Sequence, residues 1–393
     1  MKTRVKNAVQ AIEQQVIAFA SDLVKIKSLT GNEERAIRRI ATEMEQLGYD
    51  QVVIDKVGNV IGTIGNGPTK ILFDSHVDHV DVTDPEAWEL PPYGGMIKDG
   101  KLYGRGASDM KASAAATVYA GAIIKQLGLD AGKTIYVCCS VMEEDYDGEG
   151  LYRAIVDNSL QPDYVVICEP SYLRISLGHM GRAVFKITVP GVSSHGSAPE
   201  KGVNAIYKAQ QIIARIEKLG NEYMQLPAGE RPSLALTKIE STAVSLNAIP
   251  ASCSLYLDRR LAQGETEESV TKELDALVAG TDATWEVYDA VGTSWTGETV
   301  TLRSFLPAWE IEQEHPLTKS CIKTYEALLG QEPPMYKWTF STNGVATASR
   351  LGIPTIGFGA GIEAVAHKTN EYCPVSDIVT ACQFYSLLPA YLE

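Results

Sequence analysis

The stretch KILFDSHVDHVD, residues 70–81, opens as a buried strand, with Ile71, Leu72 and Phe73 in succession. It ends in His76, Asp78, His79 and Asp81. A strand that passes abruptly from apolar to ligand-type side chains aims them at a site. In open α/β sheets that site lies outside the carboxyl ends of the strands. His76-x-Asp78 has a chemical logic, because imidazole binds divalent metals and a nearby carboxylate can fix the ring's tautomer. Taken alone, the stretch reads equally well as a polar loop after a strand.

The pattern recurs twice. An apolar run at 135–142 ends in Glu143, Glu144 and Asp145, and DYVVICEP ends in Glu169 and Pro170. Three acidic strand ends joined by helical segments suggest one shared site at one edge of a sheet. Just past a strand, adjacent glutamates can take different tasks, one on a metal and one on a water. Asp145, Asp147 and Glu149 read as a solvated acidic loop. Gly104-Arg105-Gly106 begins like a dinucleotide fingerprint, but Asp109 stands where its last glycine belongs. A carboxylate there repels a pyrophosphate and suits a metal. A late strand at 353–358 runs into a glycine-rich loop carrying His367, flanked by Glu371, which can return to the same site.

Further out, residues 5–27 have the period of one amphipathic helix. Thr30 and Glu33 fit a capping box for a second helix, which Gly48 ends. Trp88 and Tyr93 are expected to pack over the site. From Gly181 the order becomes β-α-β-β-α-β, the split ferredoxin-like unit. The expectation is a metal-binding α/β catalytic domain, residues 1–179 and 301–393, interrupted by an inserted ferredoxin-like α+β lid at 180–300. Gly178 and Gly181, near the junction, suit hinges or simple turns. Helices are expected at 316–329 and 376–388.

With 393 residues, two domains are the prior. Hydrophobic content of 45% and charge of 21% suit a globular enzyme. A net charge of −14 argues against nucleic acid and anionic membranes as partners. No run is apolar enough to span a bilayer, and the first residues carry no signal-peptide core. Seven scattered cysteines without a CxxC pair read as reduced thiols, so a cytoplasmic location is expected.

These motifs carry a resemblance. HVD at 76–78, GRGASDMK at 104–111, EE at 143–144, EP at 169–170, SSHGSAP at 193–199, NAIP at 247–250 and AHKTNEY at 366–372 stand in this order over nearly the whole chain. The chain resembles the metallopeptidase family that includes acetylornithine deacetylase, succinyl-diaminopimelate desuccinylase, aminoacylase and glutamate carboxypeptidase. The resemblance implies two divalent ions, zinc foremost, with cobalt or manganese as replacements. His76, Asp109 and Glu169 would hold one; Asp109, Glu144 and His367 the other. Asp78 would orient His76, and Glu143 would be the general base. His195 and Asn247 would reach the substrate or the oxyanion, His195 from across a homodimer. Arg260 stands where the family carries an arginine for the substrate's carboxylate, with Arg259 beside it as the other choice of register. Where similar enzymes often place an aspartate, this chain has Asn343. The implied reaction is hydrolysis of the amide of an N-acyl amino acid or similar small substrate. A dipeptidase or carboxypeptidase, and a silent binding protein on the same fold, are the alternatives.

Overall fold

The computed structural model describes residues 1–227 and 231–392. Its larger sheet runs Gln51–Ile54, Val60–Gly65, Lys133–Ser140, Thr69–His76, Tyr164–Ile167, Thr355–Gly357, Ile175–His179, Trp309–Glu310. Met335–Trp338 also pairs with Ile175–His179. At its centre, Thr69–His76 lies between Lys133–Ser140 and Tyr164–Ile167 and is parallel to both. Residues 71–76 of that strand are buried in succession rather than alternately, because helices cover both faces of the sheet. The small-residue helix Ala112–Leu127 packs on one face with Glu13–Val24 and Val375–Leu387. Glu149–Asp157 covers the other, over a core that includes Leu72, Val165 and Trp338.

The smaller sheet has the ferredoxin-like order Ser233–Ser241, Ser252–Leu261, Gly181–Pro190, Thr284–Val287, antiparallel throughout. Gly181–Pro190 and Ser252–Leu261 alternate strictly between buried and half-buried residues. Their buried faces, with Phe185, Ile187, Leu255 and Leu257, meet Ile212 and Ile216 of helix Ala205–Met224 and Leu274 of helix Glu267–Val278. The opposite face is left open. Phe305–Leu306 adds to the edge of Gly181–Pro190 as the chain returns to the larger sheet.

Several local expectations are corrected. Residues 5–27 form two helices, Lys2–Ala11 and Glu13–Val24, broken at Ile12, whose φ of −116° leaves the helical region. The break lets Val5 and Val9 follow the same core as Val16, Ala20 and Leu23. The capping box does not form. Helix Glu34–Gln46 starts without a side-chain cap. Thr30 Oγ1 instead donates to Asp78 Oδ2 (2.9 Å), and Glu33 Oε1 accepts from Gly31 N (2.9 Å) and Met142 N (3.1 Å). A distant partner has taken Thr30, and Glu33 is shared between its own loop and a distant strand end. Gly178 and Gly181 lie in strands, where a Cβ would stand 2.0 Å from Trp309 O and 2.5 Å from Ala308 N. Close backbone approach explains both glycines without a hinge.

Trp338 joins the second core to the strand ends. It is fully buried, and its Nε1 donates to Pro170 O (3.0 Å), the residue after Glu169. A Cβ on Gly357 would stand 2.0 Å from its ring. Trp338→Ala should cost about 3–5 kcal/mol in a denaturant titration; a loss under about 1 kcal/mol would mean that the indole does not bear on this core.

Candidate metal centre

The parallel register aligns the strand exits. His76 pairs with Ser140, and Asp74 with Ile167. His76, the Glu143-Glu144 pair and Glu169 therefore leave the sheet at the same end. Thr355–Gly357 runs parallel to Tyr164–Ile167 and feeds the loop that returns His367. Asp109 arrives from an irregular turn, Ala107–Lys111, just ahead of helix Ala112–Leu127. Met142 (φ 63°) and His367 (φ 61°) are held in the left-handed region, a backbone strain that surrounding contacts must maintain.

Two groups of donors result. His76, Glu143 and Glu169 each bring a ligand atom within 4.8 Å of the others, as do Asp109, Glu144 and His367. Asp109 links the groups: its Oδ1 lies 3.0 Å from His76 Nε2 and its Oδ2 3.1 Å from His367 Nε2. Glu169 Oε1 is 3.4 Å from His76 Nε2, and Glu144 Oε2 is 3.0 Å from His367 Nε2. Glu143 Oε2 is 3.8 Å from His76 Nε2. A tetrahedral ion with bonds of about 2.0–2.2 Å separates neighbouring donors by roughly 3.4 Å, so these spacings fit ions between the imidazoles and carboxylates.

The electrostatics point the same way. Burial raises Glu143 and Glu144 above the usual carboxylate range and takes Glu169 to about 7. Hydrogen bonds that His367 donates to Asp109 and Glu144 raise its imidazole to about 10. Burial opposes the charge on His76, but Glu169 and Glu143 outweigh it and raise the imidazole well above 6.5. Burial also pushes Asp109 up, yet the two histidines pull it below its usual value. Four carboxylates share this pocket with two imidazoles, and the cluster holds protons where cations would fit.

A second layer fixes these groups. Asp78 is fully buried and accepts from Glu143 N, Glu144 N and Thr30 Oγ1. His76 Nδ1 lies 3.1 Å from the backbone carbonyl of Asp78 and 3.6 Å from its carboxylate. Glu371 accepts from Ser108 N (2.8 Å) and Asp109 N (3.1 Å) and pairs with Arg105 Nη1 at 2.6 Å. Nothing local in AHKTNEY marks this role, and only the folded chain shows what Glu371 anchors. Asn343 donates to Asp74 (2.9 Å) and Ser140 (3.0 Å) and accepts from Gly148 N (2.8 Å). It ties two strand ends together. His79 and Asp81 do not join the cluster. His79 Nε2 accepts from Ser28 N, burial lowering the ring to about 3, and Asp81 pairs with Lys27. Trp88 and Tyr93 pack on Arg105 and His79, and neither borders the cavity at the donors.

A cavity of about 560 Å³ opens on Asp109, Glu143, Glu144, Glu169 and His367. Arg260, from the smaller sheet, lines its far wall. Strand alternation separates the two candidate arginines. Arg259 points to the helices, 0% exposed, among Glu265, Glu273 and Tyr223. Two wall residues were missed. Arg182 carried no motif signal. Asp147 was read as solvated, but it is buried, accepts from Ser341 Oγ and lines the cavity. Glu149 is likewise buried, against Arg350. His195 and Asn247 lie side by side, with Gly196 N donating to Asn247 O (2.6 Å), but both are exposed and neither lines the cavity within one chain.

The pH dependence of metal-free protein follows. Glu169, raised from 4.5 to about 7, contributes stability that is present below 4.5 and lost as pH rises through 7. His367, raised from 6.5 to about 10, loses its contribution as pH rises through 10. Asp109 and Asp78, both lowered, contribute stability that is present above 3.8 and lost only as pH falls further into acid, below the range tested. The melting temperature of chelator-treated protein should therefore fall from pH 5 to pH 9, and added metal should flatten the curve. A flat curve without metal would contradict this charge distribution.

The model of "Peptidase family M20/M25/M40" matches residues 72–390. YgeY of Escherichia coli (strain K12), a protein of unassigned function, is 40% identical over 373 residues, 94% of this chain and 93% of that one. The succinyl-diaminopimelate desuccinylase of Ehrlichia canis (strain Jake) is 27% identical over 398 residues, 94% and 96% of the two chains. The crystal structure of YXEP from Bacillus subtilis, described as a dinuclear metal binding peptidase, superposes with a TM-score of 0.68 at 15% identity, covering 98% and 99%. With its imidazole and carboxylate motifs gathered at one set of strand ends, the chain belongs to peptidase family M20/M25/M40 and is a hydrolase of amide bonds.

Proposed function

We propose that the chain is a dinuclear-metal amidohydrolase that cleaves the amide of an N-acyl amino acid or a similar small substrate. The observation that carries this is the placement of Asp109, with one oxygen near each histidine. His76, Asp109 and Glu169 would hold one ion, and Asp109, Glu144 and His367 the other. Zinc suits this mixed imidazole and carboxylate set. Divalent ions supply Lewis acidity, which polarises a carbonyl and makes water acidic near neutral pH.

The chain's residues do the rest. Glu143 faces the cavity beside the donors, its backbone N–H held by Asp78. It takes a proton from the attacking water and delivers it to the leaving amine nitrogen. The C–N bond breaks, and the products are a carboxylate and an amine. Arg260 holds a charged end of the substrate. His195 and Asn247 act from a partner copy, since in one chain they lie outside the cavity. The catalytic unit comprises residues 1–179 and 301–393, and the lid residues 180–300. No helix of the described residues is long and apolar enough to cross a membrane. A cytoplasmic homodimer acting on a small molecule, with neither nucleic acid nor membrane as partner, is the corresponding assembly. Dipeptide hydrolysis is the second reading, favoured by the peptidase likeness.

Metal-loaded protein screened against N-acyl amino acids and dipeptides, with amine release measured, tests the reading and separates its two forms. Release from neither set would reject it. Glu143→Gln should lose about 10²–10⁴-fold in kcat while retaining close to two ions per chain by elemental analysis. Loss of metal from Glu143→Gln but not from Glu144→Gln would reverse their roles. Sedimentation should find a dimer. A fully active monomer would remove His195 and Asn247 from the reaction.

A further inference from the structure

Apart from the donors, the larger domain gives the cavity a wall that includes Tyr172, Phe340, Ala364 and Ala366. The charged side chains on that wall are Glu363 and Asp147, both acidic. Among the described residues that line the cavity, the cations are the donor His367 and two arginines of the smaller sheet. Tyr172 follows Glu169 closely in the chain and is 39% exposed. Its φ of 55° and the 56° of Leu173 put two successive residues with side chains in the left-handed region. Such strain persists only where the surroundings impose it, and it gathers at ligand sites. Here Tyr172 N donates to Gly361 O (3.0 Å) and Leu173 N to Gly359 O (3.3 Å), while Tyr172 Oη accepts from Ala364 N (3.0 Å). Arg174 stands over the Tyr172 ring, 4.8 Å from its centroid, and over Tyr336 at 3.7 Å. That arginine is committed to Glu363 (3.2 Å) and to Ser171 O (3.1 Å), and it does not line the cavity. Phe340 is braced by the buried Trp338, with ring centroids 6.1 Å apart. A core role does not account for a tyrosine ring that is locked in place and left this exposed.

We propose that Tyr172 and Phe340 form the acyl subsite of the enzyme, which takes an uncharged apolar acyl group, aromatic or branched, and rejects one that ends in a carboxylate. The proposal rests on the amidohydrolase reading for its orientation. Arg260 holds the charged end of the substrate and the amide lies at the donors, which leaves the acyl group to the larger domain's wall. Fixed aromatic rings offer a large apolar contact area at little cost in side-chain entropy. A carboxylate on the acyl group would lose its water there without gaining a cation, beside two acidic side chains. Tyr172 and Phe340 are thus specificity-determining residues.

The experiment uses metal-loaded protein and varies the acyl group on one amino acid at a time. The set is acetyl, phenylacetyl, 4-methylpentanoyl and succinyl, the last two being close in shape and different in charge. Wild-type kcat/KM should rise by roughly fourfold for each methylene that reaches the rings. Phenylacetyl should exceed acetyl by roughly 10- to 100-fold, and 4-methylpentanoyl should exceed succinyl by roughly 100-fold. Tyr172→Ala and Phe340→Ala should each lower the phenylacetyl-to-acetyl ratio by roughly 10-fold. The ratio is read on one preparation, so loss of folded protein cancels. Tyr172→Phe keeps the ring and should keep the ratio. Calorimetric titration of the same compounds into Glu143→Gln protein reads the preference without turnover. Apolar acyl compounds that bind through Tyr172 with no hydrolysis by the wild type would keep the subsite and reject the amidohydrolase. Hydrolysis that favours succinyl, or a ratio unchanged in both alanine variants, would keep the amidohydrolase and reject the subsite. Neither hydrolysis nor binding would reject both.

Discussion

Four carboxylates brought together in a buried pocket repel one another, and the structure is built around that repulsion. Asp109, Glu143, Glu144 and Glu169 share the end of the sheet with two imidazoles. Burial alone pushes the three glutamates toward their neutral forms. The cluster persists because each approach is pinned from behind. Glu371 and Arg105 fix the turn before Asp109, Asp78 caps the backbone of both glutamates, and Lys111 Nζ donates to Ile26 O (2.6 Å) beneath. Cations seated among these groups would replace the protons that the cluster otherwise holds, which would join metal affinity to pH and stability.

The parallel sheet is what makes such a cluster possible. Antiparallel neighbours send their ends in opposite directions. Three adjacent parallel strands release His76, the glutamate pair and Glu169 on one side, a few ångströms apart. A parallel connection requires crossover segments, and the crossovers supply the rest. Asp109 comes from the connection after Thr69–His76, at the head of the helix that covers the sheet. Ser140 and Asp74 are bound by one buried amide, Asn343. The chain's departure from the aspartate of similar enzymes therefore falls behind the metal centre, not in the substrate's path.

The smaller sheet contributes by its period. Alternation sends Arg259 to the helices and Arg260 to the cavity, and the antiparallel register sets Arg182 beside Arg260. Adjacent arginines of one strand thus have unrelated duties. Arg259 pairs with Glu265 and Glu273 inside the smaller domain, while Arg260 and Arg182 lie on the other face of its sheet with Asp258. The cavity lies where two sheets meet, one bringing acids and imidazoles, the other guanidiniums.

The imidazoles and carboxylates that gather at the strand ends, and the element order, were legible in the sequence, because each rests on a local pattern. An apolar run that ends in acids states both a strand and its exit. The order β-α-β-β-α-β needs only periodicity. What failed was also local, and failed for one reason. Thr30 and Glu33 match a capping box, yet Asp78 claims Thr30 from far along the chain, and the backbone of Met142 shares Glu33 with Gly31. Asp147 and Glu149 look solvated until Ser341 and Arg350 bury them. Arg182 has no motif at all, and only its cross-strand pairing with Arg260 gives it a neighbour. The sequence by itself determined which residues end strands and which side chains can bind metal, because strand period and ligand chemistry act over a few residues. The tertiary structure alone decided which polar groups meet, because a hydrogen bond or ion pair between distant residues depends on where the packed sheets bring their ends.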